Sequence, residues 1–278
     1  MNAFRCTAAL LAVALAAMPA AAELLVAPTR VVLTPDARSA ELVLVNKGSE
    51  AAAFRLAIEN RRMRIDGGLE AAPDPRPGEQ FAADKLRFSP RQLVLEPGAR
   101  QVVRIMATGA DGLGAASLAP GEYRSHLRLM SAPISAGRSL DDAARPADNS
   151  LSIELIAIRS ITIPVILRVG KLDSQVTVDT AALSGPGGDQ LVVRLSRQGS
   201  RSTYGDIALT VEGETDPAWL VRGVAVYTPN TERDVILPLP AEIKARLTGR
   251  TVRVTYISTD SAEPALLGTL LASLSATL

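Results

Sequence analysis

The feature that most constrains the fold is a long stretch of alternating apolar residues, Leu151–Gly170, which reads LSIELIAIRSITIPVILRVG. From Leu151 to Leu167 every second residue is apolar except Arg159. A period of two with many Ile and Val residues is typical of a β-strand rather than a helix. Strands usually contain about 5 or 6 residues. The stretch therefore predicts a strand too long for one small sandwich, with a proline, Pro164, inside it.

Shorter apolar runs of the same kind recur along the chain, and most end at Gly, Pro, Asn or Asp. They lie at residues 40–50, 52–60, 91–107, 122–130, 174–183, 190–199, 206–213, 220–229, 251–258 and 267–278. Many short strands with hardly any helical period between them predict an all-β fold. Two groups of about seven strands favour two β-sandwich domains, 23–168 and 169–278, divided at the polar segment Arg168–Asp173. The composition of residues 109–120 and 132–150 predicts loops.

The first 22 residues have the composition of a secretory signal. Arg5 precedes an apolar run, Ala8–Ala17, and small residues, Ala20–Ala22, precede Glu23. The run is too short to span a bilayer. We therefore expect cleavage after Ala22, which also removes the single cysteine of the chain, Cys6. The exported protein is expected to have no disulfides, no thiol chemistry and no membrane-embedded segment.

Charge and residue content exclude several classes of function. Without Arg5, 29 of the 30 basic residues remain against 29 acidic ones, and the chain has only four Phe, four Tyr and one Trp. This composition gives no support for nucleic-acid binding. The one histidine, His126, shares a strand face with Arg124 and Arg128, and we predict that this face is solvated. No nucleophile or metal-ligand motif accompanies it, so we expect neither an enzyme nor a cofactor.

Three arginines lie inside apolar strand patterns: Arg30, Arg159 and Arg168. Each can face solvent, but Arg159 lies in the apolar row of the long strand. It either interrupts a buried row, where a charge needs a partner, or indicates that its own chain does not bury the row. A long apolar edge strand favours a partner that adds a strand to it. Pro164 is compatible with such an edge, and we expect the residues before it to be presented to the partner.

Several segments together resemble the periplasmic chaperones of chaperone-usher pilus assembly. They are Ala27–Gly48, Phe88–Ile105, Gly121–Leu129 and Ile163–Arg168. The most specific element runs from Pro90 through LEPG to Arg104. In the second half of the chain the resemblance consists of the strand pattern and the segment RGVAVYTPN.

The resemblance implies two immunoglobulin-like sandwiches in a boomerang arrangement. It also implies that the last strand of the first domain donates alternate apolar residues to an incomplete pilin; in this chain these are Leu151, Ile153, Leu155 and Ala157. The family anchors the carboxylate at the pilin C-terminus with an arginine of the first strand, matched by Arg30, and with a lysine near the end of the donor strand. Pro164 stands where that lysine is expected, so Arg159 is a candidate replacement. Arg168 matches an arginine at the domain junction.

We therefore expect a periplasmic chaperone that binds pilin-like secreted subunits by donor-strand complementation and delivers them to an outer-membrane usher. The edge strand also raises the possibility of a dimer that caps itself when free. The alternative is a structural or adhesive two-domain sandwich protein of the cell surface, in which the long strand is paired within its own domain. The two hypotheses differ in whether residues 151–157 are free.

Overall fold

The computed structural model describes residues 24–108, 118–132 and 159–278, which form eighteen strands and one α-helix. In chain order the strands are β1 Leu24–Ala27, β2 Val31–Leu33, β3 Ser39–Asn46, β4 Ala52–Glu59, β5 Arg61–Met63, β6 Leu69–Ala71, β7 Leu86–Ser89, β8 Gln92–Leu95, β9 Arg100–Ala107, β10 Gly121–Ala132, β11 Ser160–Val169, β12 Ser174–Ser184, β13 Gln190–Gly199, β14 Thr203–Val211, β15 Trp219–Val226, β16 Glu232–Pro238, β17 Thr251–Ser258 and β18 Leu270–Thr277. Helix α1 is Ala241–Leu247, and Ala83–Lys85 and Pro264–Leu266 form short 3₁₀ helices. None of the helices in these ranges is long and apolar enough to cross a membrane.

The first domain is a sandwich of two sheets. One has the strand order β1-β3-β9-β7 and the other the order β2-β11-β10-β4-β8. Apolar residues at alternate positions of both sheets pack together between the sheets. Fully buried examples are Leu42, Ile105, Leu127 and Leu167. Strands β5 and β6 form a separate hairpin. Period-two alternation thus produces a core because each sheet turns one face inward.

The second domain has three strands facing four. The sheets are β12-β13-β16 and β15-β14-β17-β18. Seven strands divided in this way form the arrangement of an immunoglobulin-like sandwich. Its core includes Leu191, Leu209 and Tyr256, all fully buried. The Tyr256 hydroxyl donates a hydrogen bond of 2.8 Å to the carbonyl of Val224, so the buried polar atom is satisfied.

The prediction of an all-β chain with two sandwich domains is confirmed. The predicted runs all contain strands, but β1, β2, β7, β16, the β5–β6 hairpin and helix α1 lie outside them. In β16 only Val235 and Leu237 face the core, so the strand shows little alternation. Between Val169, where β11 ends, and Ser174, where β12 begins, the chain passes from one core to the other.

Strand β11 covers only the second part of the long predicted strand. Residues 151–158 lie outside the described residues. From Ile163 to Val169 the alternate apolar residues are buried in the core of the first domain. For these residues, the idea that their own chain leaves the row uncovered is wrong, because the opposite sheet packs on them. Arg159, just before the strand, is exposed.

The two edges of β11 differ. On one side β10 pairs with its whole length, from Ser160 to Val169. On the other side β2 pairs only with Val165–Leu167, in parallel. Within the described part of the chain, Ser160–Pro164 therefore has no strand neighbour on the β2 side. The expected edge is present, but it is limited to this half of the strand.

Replacing a core residue of β11 will show how much this strand contributes to stability. We expect Leu167→Ala to lower the free energy of unfolding by about 2–5 kcal/mol, because the substitution leaves a cavity in a tightly packed core. The control, Leu25→Ala, removes a side chain that is 49% exposed in the same domain. Its cost should stay within about 0.5 kcal/mol. Urea unfolding followed by circular dichroism measures both; equal losses would contradict the assigned burial.

Candidate functional site: the interdomain cleft

One face of β10 points toward the second domain. Glu122, Arg124 and His126 alternate with core residues and are buried, with exposed fractions of 3%, 4% and 0%. The prediction that Arg124 and His126 lie on a solvated face is therefore wrong. Alternation correctly assigned them to the face opposite the core, but the second domain packs against that face and removes it from water. Both faces of β10 are consequently buried from Gly121 to Leu127.

Arg168, at the end of β11, binds three carboxylates. Its Nε lies 3.0 Å from Glu122, its Nη2 lies 2.9 Å from Asp260 and its Nη1 lies 3.1 Å from Glu263. Asp260 and Glu263 belong to the second domain. The fork geometry of a guanidinium suits several carboxylates at once. Although burial alone would lower the pKa of Arg168, Glu122 and Asp260 raise it above its usual value. Arg168 thus forms ion pairs with carboxylates of both domains.

Glu122 is tied to the second domain from the other side. Its carboxylate accepts hydrogen bonds from the backbone N–H of Ser202 at 3.2 Å and from the Ser202 hydroxyl. The hydroxyl of Thr228 donates a longer bond of 3.3 Å. A buried carboxylate requires such donors because burial removes its water. Glu122 therefore links the first domain to two separate loops of the second.

Backbone and apolar contacts add to this junction. The N–H of Asp234 donates to the carbonyl of Ile65 at 2.7 Å, and the Asn230 side chain donates to the carbonyl of Met63 at 3.0 Å. A small buried cluster contains Met63 and Ile166 from the first domain together with two residues from the second, Ala225 and Tyr227. These contacts hold the two domains in a defined relative position.

Arg30 lies at the mouth of this junction, directly before β2. Its Nη1 lies 2.6 Å from the Asp260 carboxylate, and its guanidinium lies 4.6 Å from the centre of the Tyr204 ring. The Nε and Nη2 atoms of Arg30 are buried and have no hydrogen-bond partner among the described residues. Two donors are thus left for a further acceptor. Burial alone would raise the pKa of Asp260, but Arg30 and Arg168 outweigh burial and hold that pKa below its usual value.

A cleft of about 720 Å³ opens beside Arg30, between the two domains. Its lining includes three cations, Arg30, Arg222 and Arg233, and one carboxylate, Asp206. Residues with hydroxyl side chains also line the cleft, including Thr162, Tyr204 and Tyr227. In the described ranges no group of three or more His, Cys, Asp or Glu side chains is arranged to hold a metal ion. The chemistry of the lining suits a small anionic group rather than a metal.

The structure brings together some of the predicted site residues. Arg30 and Pro164 both line the cleft, and Arg168 lies in the junction behind it. Arg159 does not line the cleft; its backbone N–H donates to the Ser131 hydroxyl at 2.8 Å, roughly 16 Å along the strand from Pro164. Its predicted role as an anchor stays a prediction. The predicted donor residues Leu151, Ile153, Leu155 and Ala157 lie outside the described residues.

The register of β2 on β11 places Arg30 beside Pro164. Val31 pairs with Val165 in parallel, so the preceding residues, Arg30 and Pro164, lie next to each other. The sequence did not predict the other two cations of the cleft, Arg222 and Arg233. Both come from the second domain, and nothing in their local sequence indicates that they approach Arg30.

Comparison with solved structures finds chains of similar structure at low sequence identity. The structure is similar to that of the Escherichia coli chaperone DraB, with 16% identity, a TM-score of 0.43, and coverage of 92% of this chain and 98% of that one. It is also similar to the Pseudomonas aeruginosa CupB2 chaperone, with 16% identity, a TM-score of 0.42 and coverage of 91% and 100%.

A third match is a chain of the Salmonella enterica SafA pilin in complex with the SafB chaperone, with 14% identity, a TM-score of 0.41 and coverage of 92% and 96%. No family model matches the chain. No curated protein matches it in sequence.

Asp260 should contribute strongly to stability because it neutralises two buried arginines. We expect Asp260→Asn to lower the free energy of unfolding by about 3–5 kcal/mol, the usual cost of breaking a buried ion pair. Asp234→Asn is the control, since Asp234 pairs with an Arg194 side chain that is 43% exposed. That loss should be about 1 kcal/mol or less. Similar losses in urea unfolding for both variants would show that the junction is no stronger than a surface pair.

His126 makes the protein less stable in mild acid. Its Nε2 lies 3.3 Å from Arg124 Nη1, while its Nδ1 has no hydrogen-bond partner in the described part of the chain. Burial, together with the positive charges of Arg124 and Arg61, lowers the pKa of His126 to about 3. The folded state therefore keeps this histidine neutral at pH values at which the unfolded chain binds a proton.

Between pH 6.5 and 5.0 we expect the wild type to lose about 1.7 kcal/mol of stability, since an unfolded histidine titrates near pH 6.5. This contribution is present in full above pH 6.5 and declines as the pH falls. The variant His126→Gln should show almost no loss over the same interval, because the chain has no other histidine. Urea unfolding at the two pH values tests this; a loss that persists in the variant would contradict it.

Proposed function

We propose that the chain is a periplasmic chaperone that binds pilin-like subunits by donor-strand complementation and delivers them to an outer-membrane usher. The observation that carries the proposal is the geometry where β2 begins. There the unpaired edge of β11, Ser160–Pro164, meets the free donors of Arg30.

The direction of β11 determines how a partner strand can bind. A strand that adds to Ser160–Pro164 occupies the position in line with β2, because β2 pairs with β11 only from Val165 onward. If it runs parallel to β11, its C-terminal end points toward β2 and reaches Arg30. Arg30 can then donate Nε and Nη2 to a terminal carboxylate, as a bidentate guanidinium does. Strand addition supplies main-chain hydrogen bonds for the rest of the partner segment.

The sequence before the described strand continues the alternating apolar pattern. Leu151, Ile153, Leu155 and Ala157 are apolar at alternate positions, so in an extended conformation they share one face. Four such side chains inserted into a partner core would contribute on the order of 6–12 kcal/mol before the cost of ordering the segment. That amount is sufficient for stable binding of an incomplete subunit. The signal-like segment 1–22 is consistent with action in the periplasm.

Hydrogen exchange tests strand donation directly. The amides of residues 151–164 should exchange quickly on the β2 side in the free protein and slowly once a co-expressed pilin-like subunit is bound, because the added strand satisfies them. The amides of β14 in the second domain serve as the internal control and should not change. Slow exchange in the free monomer that no subunit alters would instead favour a structural sandwich protein.

Arg30→Ala tests the anchor. We expect subunit capture to weaken by about tenfold or more, because hydrogen bonds to a charged group are worth about 1.5–3 kcal/mol. Arg38→Ala removes an exposed arginine of the same domain and should leave capture unchanged. Thermal unfolding of both variants establishes that the domains are intact, since Arg30 also pairs with Asp260. Capture that survives Arg30→Ala in a folded protein would remove Arg30 from the site.

A further inference from the structure

We propose that Arg233, in the second domain, is a second carboxylate-binding residue of the interdomain cleft and acts together with Arg30. The inference rests on the proposed function, since it names how the terminal carboxylate of a bound segment is held. The β11 residues that line the cleft, Thr162 and Pro164, carry no charge. In this proposal Arg233 supplies the second positive charge in their place.

The guanidinium of Arg233 is held in place from both domains. Its Nη1 donates to the carbonyl of Ala225 at 2.5 Å. The β5–β6 turn of the first domain covers it: a Cβ built on Gly67 would lie 2.4 Å from Nη2 and 2.5 Å from Nε of Arg233. Gly67 also has a φ of 82°, a conformation that favours glycine. The turn backbone can therefore approach the guanidinium only because residue 67 has no side chain.

Arg233 is half-buried, and no carboxylate among the described residues forms an ion pair with it. Its Nε has no hydrogen-bond partner among the described residues, and no ion pair of Arg233 occurs there. Burial lowers the pKa of Arg233, with only partial compensation from Tyr227, Tyr256 and Asp66. Arg168 shows the opposite behaviour, because three carboxylates face it. A bound anion would supply to Arg233 the negative charge that the protein does not.

The other charged groups of the cleft are less suited to this role. Arg222 is exposed, so its charge is already solvated. Asp206 accepts a bond of 3.0 Å from the backbone N–H of Gly223, which ties it to its own strand pair. Arg30 keeps two buried donors free on the first-domain side. Arg30 and Arg233 therefore line one cleft from different domains, and each has a guanidinium nitrogen without a hydrogen-bond partner among the described residues. In the proposed complex the end of the added strand lies between them.

The ligand class is the terminal carboxylate of an extended peptide. The test uses a synthetic peptide, N-acetyl-Thr-Val-Thr-Val-Thr, with either a free C-terminal carboxylate or a C-terminal amide, titrated into the purified protein and followed by NMR. The wild type should prefer the carboxylate form by about tenfold or more. In Arg233→Gln the preference should fall to about threefold or less, because one charge-assisted contact is lost.

Two further variants keep the test independent of folding. Arg253→Gln removes one exposed positive charge from the same domain and should retain the full preference. Gly67→Ala leaves every charge in place but puts a methyl group where the Arg233 guanidinium lies, so the preference should fall as in Arg233→Gln. Thermal unfolding identifies any variant that has lost its fold.

An unchanged preference in folded Arg233→Gln and Gly67→Ala overturns the inference, as does equal binding of the two peptides by the wild type. The result is separable from the chaperone proposal. A carboxylate preference that depends on Arg233, found in a protein whose residues 151–164 no subunit protects from exchange, supports the anion site and rejects strand donation. If a subunit protects residues 151–164 from exchange but Arg233→Gln leaves the peptide preference unchanged, strand donation is supported and the Arg233 site is rejected.

Discussion

The structure depends above all on the buried guanidinium of Arg168. A charge in this position is costly to desolvate, and the junction is stable because Glu122, Asp260 and Glu263 surround it with negative charge. Two of these carboxylates come from the second domain, so the pairing also determines how the domains meet. The cleft exists only in that relative position, because its lining comes from both domains. The ion pairs of the buried junction thus determine the shape of a cleft at the surface.

The register between β2 and β11 places a candidate binding site beside this junction. Since β2 pairs with only three residues of β11, a short length of β11 edge remains available, and Arg30 lies at its end. The same arginine shares Asp260 with Arg168. Arg30 is therefore oriented by the junction while two of its donors stay unpaired. The parallel pairing of β2 with β11 places Arg30 at the end of the free edge. The shared carboxylate of Asp260 orients its guanidinium.

In the proposed anion site the two cations come from different domains. Pro164 carries no charge, whereas Arg233 lines the cleft from the second domain beside the Gly67 turn. With one arginine in each domain, the proposed binding of a carboxylate depends on the relative position of the domains. In this proposal the junction around Arg168 serves binding as well as stability.

Sequence alone determined the longer strands and the two sandwiches, because alternation with a period of two is a local property that directly reflects which face of a sheet is buried. It also distinguished the two faces of β10. Only the tertiary structure decided what covers the second face, since Arg124 and His126 are buried by a domain that lies far along the chain. The same holds for Arg233: β16 shows little alternation, and its approach to Arg30 depends on how two separately folded domains pack. Local pattern reports burial within a sheet, whereas a site formed between domains depends on long-range contacts that no local pattern contains.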